Sequence, residues 1–125
     1  MPVSVTNKTS STLPRVPFSV YMSAVLGKKY ELSVVFVSPK EMQKLNKQYR
    51  KKNKSTDVLS FPLSKNSGEI FFSIPDAKKE AVKFDRSYAN FMKFLTIHAL
   101  AHLAGFDHGQ KMEAFEARFR TKFAI

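Results

Sequence analysis

Apolar and polar positions alternate or repeat along most of this chain, and the period assigns elements. Residues 2–6 alternate weakly, enough for a short strand. A polar, turn-prone stretch from Ser10 to Pro14 follows. Residues 18–26 are apolar enough for a helix, and Gly27, Lys28 and Lys29 supply its stop signal. Residues 30–38 read as a strand. Leu32, Val34 and Phe36 face one way, Val35 and Val37 the other, so both faces are expected to be buried and the strand central. Ser38-Pro39-Lys40-Glu41 then opens a helix, with serine as N-cap, proline at the first helical position and glutamate placed to close a capping box. Met42, Leu45 and Tyr49 give that helix its apolar stripe.

Residues 58–63 and 68–74 read as two strands, and the short link Ser64-Lys65-Asn66-Ser67 predicts a hairpin. Pro75-Asp76 opens a short charged helix that runs to Phe84. A long apolar helix spans 88–104, with Phe91, Leu95, His98 and His102 along one stripe. A last helix spans 111–123, with Met112, Phe115, Phe119 and Phe123 inward and Lys111, Arg118 and Lys122 outward. The order βαβαββααα predicts an α+β fold, a small mixed sheet of about four strands with helices packed against it. With 125 residues, no repeat and no linker, one domain over 1–125 is expected.

All three histidines fall in one eleven-residue window, His98-Ala-Leu-Ala-His102-Leu-Ala-Gly-Phe-Asp-His108. On a helix the first two stand one turn apart on the same face. Gly105 lets the chain leave the helix at positive φ, so His108 can return to the same point in space. Taken singly, each histidine is more simply a surface or core residue. The shared spacing and the glycine between them reverse that weighting. Three imidazoles with nothing else attached make an open zinc site, with a fourth position for water. The expected cofactor is one Zn2+ at the end of the long helix, held by His98, His102 and His108. The spacing matches the ligand pattern of metzincin peptidases, but Ala99 stands where those enzymes carry their glutamate base. Asp107, beside a ligand, is a candidate to orient an imidazole N–H, with a helix-end or surface role as the equal alternative.

Charge changes the picture next. Lys and Arg number 21 against 10 Asp and Glu, a net charge of +11, which suits a polyanionic partner, nucleic acid first and an anionic membrane surface second. Much of it gathers in Lys47, Arg50, Lys51, Lys52 and Lys54. For the lysines a solvated helix end is the simpler reading. Arg50 stands apart, because a guanidinium can grip a phosphate with two prongs. Thr56-Asp57 reads equally as a turn or cap before the next strand. The chain contains no cysteine, so no disulfide partner is possible and a metal must take nitrogen or oxygen ligands. No apolar run reaches transmembrane length, and the start lacks the pattern of a secretory signal, so a cytoplasmic protein without membrane attachment is expected.

Taken together, these motifs resemble the YbeY family of rRNA maturation endoribonucleases. The resemblance rests on the histidine window, on Asn46 through Arg50, on Thr56-Asp57-Val58-Leu59-Ser60-Phe61-Pro62 and on Gly68-Glu69-Ile70, in the family's order. It implies zinc on the three histidines and cleavage of single-stranded RNA. It also implies maturation of the 3′ end of small-subunit rRNA, ribosome quality control and the small ribosomal subunit as partner. Arg50 matches the family's functionally important arginine. Arg50 and His98 are therefore the candidate catalytic residues, and Arg50, Lys51, Lys52 and Lys54 the candidate RNA contacts. The chain departs from the family's usual glycine at Ala99, leucine at Ala101 and tyrosine at Phe106. Two alternatives stand beside this reading: a metal-dependent hydrolase of another class, peptidase-like, and a non-catalytic zinc-containing ribosome-assembly factor.

Overall fold

A computed structural model describes residues 2–125. The elements run β1 (Val3–Asn7), α1 (Phe18–Leu26), β2 (Glu31–Phe36), α2 (Pro39–Arg50), β3 (Val58–Ser64), β4 (Ser67–Phe72), α3 (Ile74–Lys83), α4 (Tyr88–Leu103) and α5 (Gln110–Phe123). The four strands form one mixed sheet in the order β1-β2-β4-β3. β1 and β4 both pair parallel with β2, while β3 pairs antiparallel with β4 as the expected hairpin. β2 thus lies inside the sheet, as its two apolar faces require.

Those two faces feed two clusters. Leu32, Val34 and Phe36 join Ile70 and Phe72 of β4, Phe18 and Met22 of α1, and Phe91, Met92 and Leu95 of α4 in the main core. Rings of Phe36 and Phe72 stack there with centroids 5.4 Å apart, and Phe18 meets both. Each such side chain, fully buried, contributes about 1.5–3 kcal/mol. On the opposite face Val35, Val37 and Leu59 pack against Met42 of α2. β3 forms the outer edge, where Pro62 costs no ladder bond, and its register slips between Pro62 and Ser64. At Gly68 a Cβ would lie 2.3 Å from the Tyr30 hydroxyl and 2.9 Å from Leu103, so a larger residue there would have to push the ends of those two side chains aside.

Three local expectations fail for physical reasons. Ile74 opens α3 rather than closing a strand: Ser73 makes the last bond of the β3–β4 ladder, to the Asp57 carbonyl at 3.0 Å, and its own carbonyl then accepts from the Ala77 N–H at 2.9 Å in the first turn of the helix. Ser38 does cap α2, accepting from the Glu41 N–H at 3.1 Å, but Glu41 does not close the box. Its carboxylate pairs with Lys8 at 2.6 Å instead. Tyr49 is 59% exposed, its ring packed on one side against Phe61 of the edge strand β3 with centroids 5.0 Å apart; Asn46 takes the buried place beside Met42.

Candidate metal centre

α4 starts at Ser87, whose hydroxyl accepts from the Asn90 N–H at 3.1 Å, and runs through the core with Phe91, Leu95, Ala99 and Ala101 buried. That packing fixes the helix rotation and sets His98 and His102 one turn apart on a half-buried face. The helix ends at Leu103, and Gly105 turns the chain with φ of 101°. Without a Cβ penalty at that angle, the loop folds back and delivers the exposed His108. The ligand-bearing nitrogens of the three histidines all lie within 4.8 Å of one another. Their rings are mutually turned: His98 and His102 meet at 86° with centroids 4.7 Å apart, and His102 and His108 at 79° and 5.0 Å.

Two of the rings are held from behind. His98 Nδ1–H donates to both carboxylate oxygens of Glu116, each 3.2 Å away. His102 Nδ1–H donates to the Phe106 carbonyl at 3.0 Å. Both bonds leave Nε2 as the free donor atom. Glu116 sits on α5, only 4% exposed, and Arg120 on the same helix lies 3.8 Å from it. Burial pushes the His102 pKa below its ordinary value, and the neighbouring His98 adds to the shift against the Phe106 carbonyl. The ring therefore stays neutral at neutral pH, which is the form that binds a metal.

Asp107 does not take the role expected beside the ligand. It is exposed and makes no hydrogen bond to an imidazole. Asp107 lines the cavity with the three histidines, and the bond to the His102 ring is made by the preceding carbonyl, that of Phe106. The Phe106 ring stacks on Phe115 at 4.3 Å and pins that loop to α5. Glu116 was not singled out in the sequence, although a signal existed. It lies between Met112 and Phe119 on the apolar stripe of α5, where an unpaired carboxylate would be costly.

The histidines open into a cavity of about 850 Å3 that Arg50 and Asp57 also line. Arg50 closes α2, and Lys51 follows in the left-handed conformation with φ of 57°. The arm beyond is tied back by two side chains. Asn46 Nδ2 donates to the Lys54 carbonyl at 2.9 Å, and Gln43 Nε2 to Asn53 Oδ1 at 3.1 Å. Lys51, Lys52 and Lys54 are exposed and stand outside the cavity wall. Burial raises the Asp57 pKa above its ordinary 3.8, with the Glu80 charge adding to it. Glu69 accepts from Ser33 on the sheet at 3.2 Å and does not reach the cavity.

The family model described as Endoribonuclease YbeY matches residues 4–123. The chain belongs to the YbeY endoribonuclease family. A YbeY relative from Alkaliphilus metalliredigens is 40% identical over 107 residues, which cover 77% of this chain and 69% of that protein. Another, from Campylobacter jejuni, is 42% identical over 92 residues, covering 70% of this chain and 68% of its own length. A solution structure from Thermotoga maritima shares the fold, with a TM-score of 0.66 over 98% of this chain and 91% of that one at 22% identity. The YbeY resemblance drawn from the motifs is thus a family membership that spans nearly the whole chain. Among the described residues the three histidines are the group able to hold a metal ion, and no helix is long and apolar enough to cross a membrane.

Proposed function

We propose that this YbeY protein is a zinc-dependent, single-strand-specific endoribonuclease. One observation carries the reading: three imidazoles, two of them with Nε2 left free, gather in a cavity whose wall also carries Arg50. His98, His102 and His108 would hold the ion. Neutral nitrogen donors, two of them anchored through Nδ1, are the donor set that suits zinc with an open position. Once bound, the metal supplies Lewis acidity and an activated water at neutral pH. Arg50 contacts a non-bridging phosphate oxygen and offsets the charge that builds there. Lys51, Lys52 and Lys54 hold the strand through its phosphates outside the cavity. Glu116 keeps His98 in the correct tautomer, as the Phe106 carbonyl does for His102.

The substrate in this reading is rRNA, with maturation of the 3′ end of small-subunit rRNA and ribosome quality control as the setting. The small ribosomal subunit is the partner and the cytoplasm the compartment. The test is incubation of purified protein with labelled single-stranded RNA, with and without chelator. His98→Ala protein purified in parallel controls for contaminating nuclease. Chelator-sensitive cleavage that His98→Ala lacks supports the reading. Chelator-sensitive turnover of a peptide library with intact RNA would favour the peptidase-like alternative. Zinc binding with neither turnover would favour the assembly factor.

A further inference from the structure

The cavity that holds the histidines also has a wall of different chemistry. Phe84, Phe91 and Phe94 line it together with the ligands. Their centroids lie 5.2 Å apart for Phe84 and Phe91, and 5.7 Å for both Phe84–Phe94 and Phe91–Phe94. Phe91 is buried, but Phe84, which caps the C-terminus of α3, is 53% exposed. Its ring packs on one side and is open on the other, an uncommon state for a phenylalanine in a cavity wall. Two guanidinium groups back Phe94 from outside the cavity lining: Arg86, bonded to Asn90, lies 4.4 Å from its centroid, and Arg120, paired with Glu113 and Glu116, 5.4 Å.

A phosphate on Arg50 and the histidines would occupy only part of this space. The volume, about 850 Å3, falls in the range of roughly 300–1,000 Å3 that buries a whole drug-sized ligand. Asp57 and Glu113 also line the cavity, so it does not attract anions along its whole length. A flat, neutral group joined to a phosphate matches both walls at once. Exposed aromatic faces beside cationic groups are how single-stranded nucleic acid is gripped through its bases.

We propose that Phe84, backed by Phe91 and Phe94, is a stacking subsite for a nucleobase of single-stranded RNA, next to the phosphate at Arg50. The proposal rests on the endoribonuclease reading and adds the base to a site otherwise built for the backbone. Stacking is tolerant of base identity, so the subsite selects for unpaired nucleotides rather than for sequence. It gives a physical cause for single-strand preference, because a base inside a duplex cannot reach the ring.

The test compares two short strands of equal length, a single-stranded RNA and an abasic ribose-phosphate strand, by fluorescence anisotropy on metal-loaded protein. Phe84→Leu keeps an apolar side chain without a flat face, and Phe84→Trp keeps the face. Wild type and Phe84→Trp are expected to prefer the base-bearing strand. Phe84→Leu is expected to lose about 5- to 150-fold on that strand, the equivalent of one stacked base, and nothing on the abasic one. Equal binding of both strands by wild type overturns the subsite and leaves the nuclease reading standing. Wild type that binds neither strand overturns both. Should Phe84→Leu bind neither strand, the wild-type preference for bases and its retention in Phe84→Trp decide the matter.

Discussion

His98 and His102 stand on a helix whose neighbouring residues Leu95, Ala99 and Ala101 are buried, and their outer nitrogens are bonded to Glu116 and to the Phe106 carbonyl. Across the cavity Lys51, Lys52 and Lys54 follow α2 with exposed side chains, and the bonds that Asn46 and Gln43 make there go to the arm's Lys54 carbonyl and Asn53. On the proposed function the two regions serve different tolerances. Metal coordination is short-ranged and directional, so its donors need a fixed backbone, a fixed ring and a fixed tautomer. Attraction to a phosphate chain is long-ranged and forgiving, so an ordered backbone with free lysine tips suffices. Arg50 belongs between them, on the last turn of a packed helix yet facing the cavity.

If that contrast is right, substitutions in the two regions differ in kind as well as in size. Arg50→Ala is expected to lower the rate of RNA cleavage by about 10²–10³, the scale of a lost charge-stabilising donor, with metal content unchanged. A normal rate would remove Arg50 from the chemistry and return it to the solvated arm. Glu116→Ala is expected to weaken metal binding about 10- to 100-fold while all three ligands remain. Competition against a chromophoric chelator reads this directly, and unchanged affinity would mean that the rings hold themselves. The triple change Lys51→Ala, Lys52→Ala, Lys54→Ala is expected to leave metal affinity alone. It should flatten the dependence of log K on log salt by about 2, near 0.7 for each lost contact to a single strand. Loss of metal in that variant would erase the contrast.

The smallest effect belongs to Asp57, on the cavity wall between the regions. Its folded-state pKa is raised by burial and then by Glu80, so the folded protein holds this proton more tightly than the unfolded chain does. Its stabilising contribution is full below the ordinary 3.8 and is lost as pH rises through the raised value. Asp57→Asn removes that slope, and urea titrations across the acidic range should show a flatter stability profile than wild type. A profile that keeps the wild-type slope would assign it to another group.

Much of this was legible in the chain itself, for identifiable reasons. β2 shows two apolar faces because helices cover both sides of it, and its place inside the sheet follows. The histidine window is local, with both helix positions and the turn set by one stretch, so spacing alone brings out a cluster able to hold a metal ion. Glu116 lies eighteen residues from His98 and meets it only through the α4–α5 packing. Its signal was a carboxylate on an apolar stripe, an anomaly that names a need for a partner but not which partner. Asp107 stood evenly between orienting a ring and lying at the surface, because nearness in sequence is not orientation; it is exposed, and the Phe106 carbonyl meets His102. Ile74 misled because an apolar residue after a strand continues its pattern whether or not the backbone leaves the sheet. The departure is the first helical turn, closed by the Ala77 N–H on the Ser73 carbonyl, and it starts ahead of Pro75, where the sequence places it.

The central claim is three imidazoles on one ion with a coordination place left open. X-ray absorption spectroscopy of the zinc-loaded protein tests it most directly. Three imidazole nitrogens and one non-protein oxygen are expected around the metal, falling to two imidazoles or to no bound zinc in His98→Ala. A shell completed by a fourth protein ligand, or one with fewer than three imidazoles in the wild type, would contradict it.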